Sequence, residues 1–190
     1  MKTLIALLTT AALLSFKSVA PATWTSDPAH SKLGFTVTHM MVSDVEGTFK
    51  NFTATVTASK DDFSDAVIEM NADIASVSTD NDQRDTHLKS PDFFDAAKFP
   101  KMTFKSTAVK ATSDKTYKVT GNLTIKGVTK PVIFDAALRG TYVNQAKKTV
   151  AGFKITGTIN RKDFGVGSTF GNAMVSEEVT LIANAELVKN

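Results

Sequence analysis

Asp82, Arg84, Asp85, His87 and Lys89 place five ionisable side chains within eight residues, just ahead of Ser90-Pro91-Asp92 and the pair Phe93-Phe94. Arg84 and His87 stand one helical turn apart and can face the same way. That spacing suits contact with a polar head group, and it equally suits a hydrogen-bond network that only fixes the segment. Two further histidines complete the set. His39 falls on the apolar face of an alternating stretch, which favours a core or lumen histidine over a ligand, and His30 beside Ser31 reads as a turn or rim residue.

Other chemistries find little support. There is no Cys, and no His pair at i, i+4, so zinc ligation has no framework. No Gly-x-Ser-x-Gly elbow occurs. Gly165-Val166-Gly167 lacks the strand-to-helix context of a phosphate loop. The acids of the 81–94 segment cannot be told from an ordinary solvated helix face. On this reading the chain has no catalytic residue and no metal site.

The elements that must position these groups are mostly strands, read from period-two alternation. Leu33, Phe35, Val37 and His39 share a face, as do Phe52, Ala54 and Val56, and Ala66, Ile68, Met70, Ala72 and Ile74. Met102, Phe104, Ser106 and Ala108 follow, then stretches over 117–126, 131–139, 151–159 and 179–187. Turn residues at Lys60-Asp61-Asp62, Thr112-Ser113-Asp114, Gly127 and Asn144-Gln145 separate most of them. Eight antiparallel strands suit a closed barrel; a β-sandwich is the competing architecture. One short helix is expected over Asn81 to Lys89, capped by Asp80 or Thr79. Ser90-Pro91-Asp92 then offers a capping hydroxyl, a proline at a first helical position and an acid in the first turn. Phe93, Phe94 and Phe99 would form the apolar face of this lid or plug.

The N-terminus reads as a secretory leader over residues 1–22, with Lys2, the apolar stretch Thr3 to Leu14 and small residues before a cut after Ala22. The stretch is short of the ~20 residues of a spanning helix, and a membrane anchor is the alternative. Residues 23–190 form one domain, left with 20 basic and 19 acidic residues, because Lys2 and Lys17 leave with the leader. A near-neutral chain has no electrostatic footprint for nucleic acid, and no membrane span is expected in it. The expected location is the periplasm or the extracellular space.

The inward face mixes large rings with Ala54, Ala66, Ala72, Ala108, Gly121, Ala136, Gly157, Ala183 and Ala185. Such a mixture fits either a filled, tapering core or an apolar cavity.

Longer motifs run through nearly the whole chain. They include Trp24 with Asp27, His30-Ser31 and Phe35, then Gly47-Thr48-Phe49, the 81–94 segment and Phe99-Pro100-Lys101-Met102-Thr103-Phe104. Thr120 to Pro131, Asn160-Arg161 and Asp163-Phe164-Gly165 complete them. In these the chain resembles the YceI-like family of periplasmic proteins. The resemblance implies an all-β, eight-stranded antiparallel lipocalin-like barrel with a short helical lid insert. It also implies an elongated apolar tunnel for an isoprenoid or fatty-acid-like lipid, and no recognised catalytic residue. The residues expected along that tunnel are Phe35, Val37, His39, Phe52, Ile74, Phe104, Leu123, Phe134, Phe153 and Ile155, with Arg84, His87 and Phe94 at its mouth. No cofactor is expected beyond a bound isoprenoid or isoprenoid quinone, and the partner is a small-molecule lipid. Homodimerisation stays open. Asp80, Asp82, Asp85, Asp92 and Asp95 against Arg84 and Lys89 favour a neutral head group over a diphosphate. A carrier is the leading function, an enzyme or accessory factor acting on such a lipid through the lid's polar residues is the second, and a protein-binding barrel is the third.

Overall fold

The computed structural model describes residues 20–190, so the expected leader lies outside the described residues except for its last three positions. Eleven strand segments are present: β1 (Ala22–Ser26), β2 (Lys32–His39), β3 (Ser43–Phe49), β4 (Phe52–Ala58), β5 (Val67–Asp73), β6 (Val77–Ser78), β7 (Lys101–Ser113), β8 (Thr116–Ile125), β9 (Val128–Val143), β10 (Thr149–Asn160) and β11 (Glu178–Lys189). The helix α1 covers Asp82–Lys89. β1 and β2 are two halves of one lane of the sheet, as are β3 and β4, and β5 and β6. The lanes therefore number eight, matching the eight expected stretches. β11 closes the ring by pairing with both halves of the first lane, Thr25 opposite Val188 and Thr36 opposite Thr180. Every pairing is antiparallel, and the fold is an eight-stranded closed barrel with one short helix.

Polar pairs mark the outside of the wall. Glu69 opposite Lys105 and Lys118 opposite Asp135 form cross-strand ion pairs at 2.8 and 2.7 Å. Among the described residues no helix is long and apolar enough to cross a membrane.

Four local expectations are corrected. A β-bulge between Ser106 and Ala108 inserts one residue, so Ala108 is exposed and Val109 takes the inward position. His39 is exposed because β2 loses its pairing with β11 after Thr36 and runs on past the wall. The helix is capped by Asn81, whose side chain accepts from the Arg84 N–H at 2.9 Å, because Thr79 is occupied with Asp85. Ser90 ends α1 instead of starting a second helix: its N–H donates to His87 O, and its carbonyl accepts from the N–H groups of Phe93 and Asp95. The chain thus folds back as turns.

The apolar interior has two parts. The larger runs under α1 and down most of the barrel. The smaller plugs the far end with Trp24, Val56, Ala58, Phe63, Ala66, Ala151, Ala185 and Leu187. Trp24 lies 5.2 Å from Phe63, which meets Phe153 edge-on at 5.1 Å. The Trp24 indole N–H is buried with no partner, a situation that costs about 1–3 kcal/mol. Trp24→Phe should therefore cost less than about 1.5 kcal/mol, against about 3–5 kcal/mol for Trp24→Ala. Because Trp24 is the only tryptophan, guanidinium unfolding followed by far-UV circular dichroism is the suitable measurement. Equal losses in the two variants would show that the indole N–H is satisfied.

Candidate functional site: an apolar lumen under two straps

Glycines in the wall make room for phenylalanine rings. A Cβ at Gly47 would collide with the Phe35 ring, one at Gly121 with Phe104, and one at Gly157 with Phe134. In each case the glycine is on a strand adjacent to the phenylalanine, and the ring lies back across the bare backbone. Phe104 and Phe134 then meet at 5.4 Å. Rings held against the wall leave the axis of the barrel open.

Two chambers result. The larger, about 150 Å³, occupies the middle and lower barrel, and Phe52, Phe104, Leu123, Phe134, Phe153 and Ile155 line it as expected. The smaller, about 80 Å³, lies beneath the lid and takes Phe35, Val37 and Phe94. Ile74 is buried in the core but lines neither chamber. Phe49, Met102 and Leu181 border both and form a waist between them.

Sequence reasoning missed the waist and also Phe63, Tyr117 and Val119 in the larger chamber. Tyr117 and Val119 lie on a recognised strand. Phe63 sits in a turn, with φ of 56°, where no alternation could mark it. Tyr117 is the one lining side chain of the larger chamber with an N or O atom, and its hydroxyl donates to the Asp62 carbonyl at 2.7 Å. Burial raises its pKa, with the Asp62 and Asp114 charges adding to the effect, so it stays neutral.

The polar residues of the lid do not point into this lumen. Asp85 is buried and accepts from the Thr79 N–H at 2.8 Å and its hydroxyl at 2.6 Å. Arg84 donates to the Thr79 hydroxyl and carbonyl at 2.7 and 2.8 Å. His87 lies 3.1 Å from Asp92 and packs edge-on against Phe93 and Phe170. Thus Arg84 and His87, expected to share a head group, have separate structural partners and line neither chamber. His39 also lines neither.

The lid, residues 79–99 between β6 and β7, is one strap over this end of the barrel, and a second strap, residues 161–177, completes the closure. Arg161 is buried and donates to five backbone carbonyls: Ser176, Val166 and Gly167, then Phe170 and Val175. Burial lowers its pKa and Glu177 opposes that shift. The straps meet where Phe93 stacks on Phe170 at 4.9 Å and Gly167 N–H donates to Asp92 O at 3.0 Å. Lys126 ties both, donating to Pro91 O and Gly165 O. Among the described residues no three His, Asp or Glu side chains converge as metal ligands.

Comparison with known proteins agrees with this architecture. The YceI-like domain family model matches residues 24–187. A UPF0312 protein of Photorhabdus laumondii is 37% identical over 190 residues, covering 99% of this chain and 97% of its own. The crystal structure of BcnA from Burkholderia cenocepacia superposes with a TM-score of 0.76 at 27% identity, covering 85% of this chain and 98% of its own. A polyisoprenoid binding domain from Saccharophagus degradans shares the fold with a TM-score of 0.66 at 16% identity, covering 89% and 99%.

Two outcomes test this geometry. Gly157→Ala should push the Phe134 ring off the wall and into the larger chamber, cost about 1–3 kcal/mol, and lower uptake of an environment-sensitive apolar dye. Gly157→Ala combined with Phe134→Leu should recover uptake; dye binding unchanged in the single variant would show that the ring does not set the lumen. Arg161→Met strands four carbonyls, since Gly167 O keeps the Phe170 N–H, and should lose at least about 3 kcal/mol, or roughly 6–12 °C in Tm for a chain of this size, with Arg161→Lys recovering only part. Wild-type stability in Arg161→Met, measured by thermal unfolding, would show that the strap holds itself.

Proposed function

The chain belongs to the YceI-like family, and on that premise we propose that it is an exported, periplasmic binding and carrier protein for a long-chain isoprenoid or fatty-acid-like lipid. The observation that carries this reading is the lumen: twenty-five lining residues around the larger chamber, all apolar except Tyr117, whose hydroxyl is already engaged. Each methylene buried there contributes about 0.8 kcal/mol, so a long chain needs no polar anchor. The smaller chamber extends the path toward the lid. A chain longer than the larger chamber passes the waist, where Met102 is unbranched and adaptable. The naming of the Saccharophagus neighbour as polyisoprenoid binding supports the same ligand class, and an isoprenoid quinone is included in it.

A binder is favoured over an enzyme because Arg84, Asp85 and His87 do not come together at either chamber. Asp85 and Arg84 share Thr79, and His87 pairs with Asp92. The head group of the ligand is neutral on this reading. Arg161, the one cation lining the smaller chamber, and Lys126, which ties the straps, are committed to backbone carbonyls, and the exposed Asp80, Asp82 and Asp92 add negative charge around the lid.

Extraction of the protein purified from its native host, followed by mass spectrometry, tests the carrier reading: an unchanged lipid is expected, and a modified product would favour the enzyme. Competition on the apo-protein between a long-chain prenyl alcohol and its diphosphate tests the head group. The alcohol should bind at least as tightly at physiological salt; clearly tighter diphosphate binding would overturn the neutral-head reading.

A further inference from the structure

The hairpin joining β2 to β3 ends in Met40, Met41 and Val42, which are 52%, 71% and 85% exposed. Met174 on the second strap is 50% exposed, and its carbonyl accepts from the Met40 N–H at 3.0 Å. Four large apolar side chains therefore sit together in water on one projecting tip. The backbone is also unusual: Met40 and Met41 both have left-handed φ, 53° and 57°. Asn or Gly would occupy those positions without strain, so turn geometry does not explain methionine there.

The tip is held firmly and close to the lumen. Thr38 N–H donates to Ser176 Oγ, and Ser176 N–H donates to Thr38 O, so hairpin and strap are stitched together. His39 bridges to Val175 directly beside the tip, and Val175 lines the smaller chamber.

We propose that this tip docks the lid end of the barrel onto the interface of a neutral lipid bilayer, inserting Met40, Met41 and Val42 among the acyl chains. Apolar side chains on a narrow projection suit the shallow boundary between head groups and chains. A protein partner fits less well, because four side chains, even if fully covered, fall short of the roughly 800 Å² per partner that a stable protein interface needs. Charge decides the kind of bilayer. The tip residues carry none, the neighbouring Asp44 and Glu46 are acidic, and Lys162 is already paired with Glu177 at 2.7 Å. An anionic surface is not what this end is built to attract. For its purpose, lipid exchange with the lumen, the docking rests on the reading given above.

Flotation of the leaderless protein with phosphatidylcholine vesicles tests it. The wild type should float with the vesicles. Met41→Asn combined with Val42→Ser should lower the partition coefficient about tenfold or more, and Asn fits the left-handed turn, so folding is preserved. Val42→Trp should raise partitioning, since an indole favours the interface. Absence of wild-type flotation, or equal flotation by the double variant, would overturn the proposal. So would binding only to phosphatidylglycerol vesicles that salt abolishes, or wild-type self-association in sedimentation velocity that the double variant loses. Gly157→Phe, which fills the lumen, separates the two readings. It should still float while losing apolar dye uptake, whereas a wild type that takes up no dye yet floats leaves the docking standing and removes the carrier function.

Discussion

Phenylalanine lying on glycine is the contact on which the rest of this barrel depends. Inward-facing rings in an eight-stranded barrel would ordinarily fill it, because the interior is only just wide enough for side chains. Here Phe35, Phe104 and Phe134 lie back over Gly47, Gly121 and Gly157 on neighbouring strands. Each pair thins the wall at one point and covers the exposed backbone that a glycine leaves. The same contact therefore does two things, sealing the sheet and clearing the axis. The alanines on the inward face, such as Ala54, Ala136 and Ala183, extend the clearance around the larger chamber.

The two ends of the barrel are closed by different physics. At the far end Trp24, Phe63 and Phe153 pack ring against ring, and the closing pairs of β1 with β11 run through the same region. At the lid end, closure relies on polar groups satisfied inside each strap. Thr79, Arg84 and Asp85 form a self-contained set in the first strap, and Arg161 satisfies five carbonyls within the second. Buried charge is tolerable in this form because each donor has an acceptor. The consequence for recognition is that these groups are consumed by structure and are not available to a ligand.

The lanes of the sheet were legible because half-buried strands alternate with period two, and all eight expected stretches coincide with lanes. The breaks within lanes were not. β1 is five residues long, β3 carries Asp44, Glu46 and Gly47, and neither alternates cleanly. The bulge after Ser106 reverses the face of everything beyond it, which moved Ala108 out and Val109 in. Six of the expected lumen residues line the larger chamber and three the smaller one; eight of these are inward strand positions that follow from alternation alone, and Phe94 comes from the turns after α1. His39, Arg84 and His87 line neither chamber, for another reason. Where a polar side chain goes depends on which partner comes nearest after folding, and Thr79, Asp92 and the strap residues are not neighbours by any local spacing rule. Phe49 and Leu181 became a waist through pairing between distant strands, which also leaves no local trace.

The contrast between the ends bears on how a lumen ligand gains access. Opening at the Trp24 end would break ring packing and the pairs that close the barrel, a cost on the scale of the fold itself. The contacts that cross the seam between the straps are local ones: the Phe93 ring on Phe170 and Gly167, the edge-on His87–Phe170 contact, the Gly167–Asp92 hydrogen bond and the bridge from Lys126. Separating the straps leaves the Thr79–Asp85 set and the Arg161 set intact, because each lies within one strap. Low local stability concentrates where few buried apolar contacts and few hydrogen bonds hold an element, and by that measure the seam is the weaker end. The smaller chamber lies directly beneath it, lined by Phe93 from one strap and Val166 from the other. The route from solvent to lumen that disturbs least structure therefore passes between the straps, beside the exposed methionines of the β2–β3 hairpin.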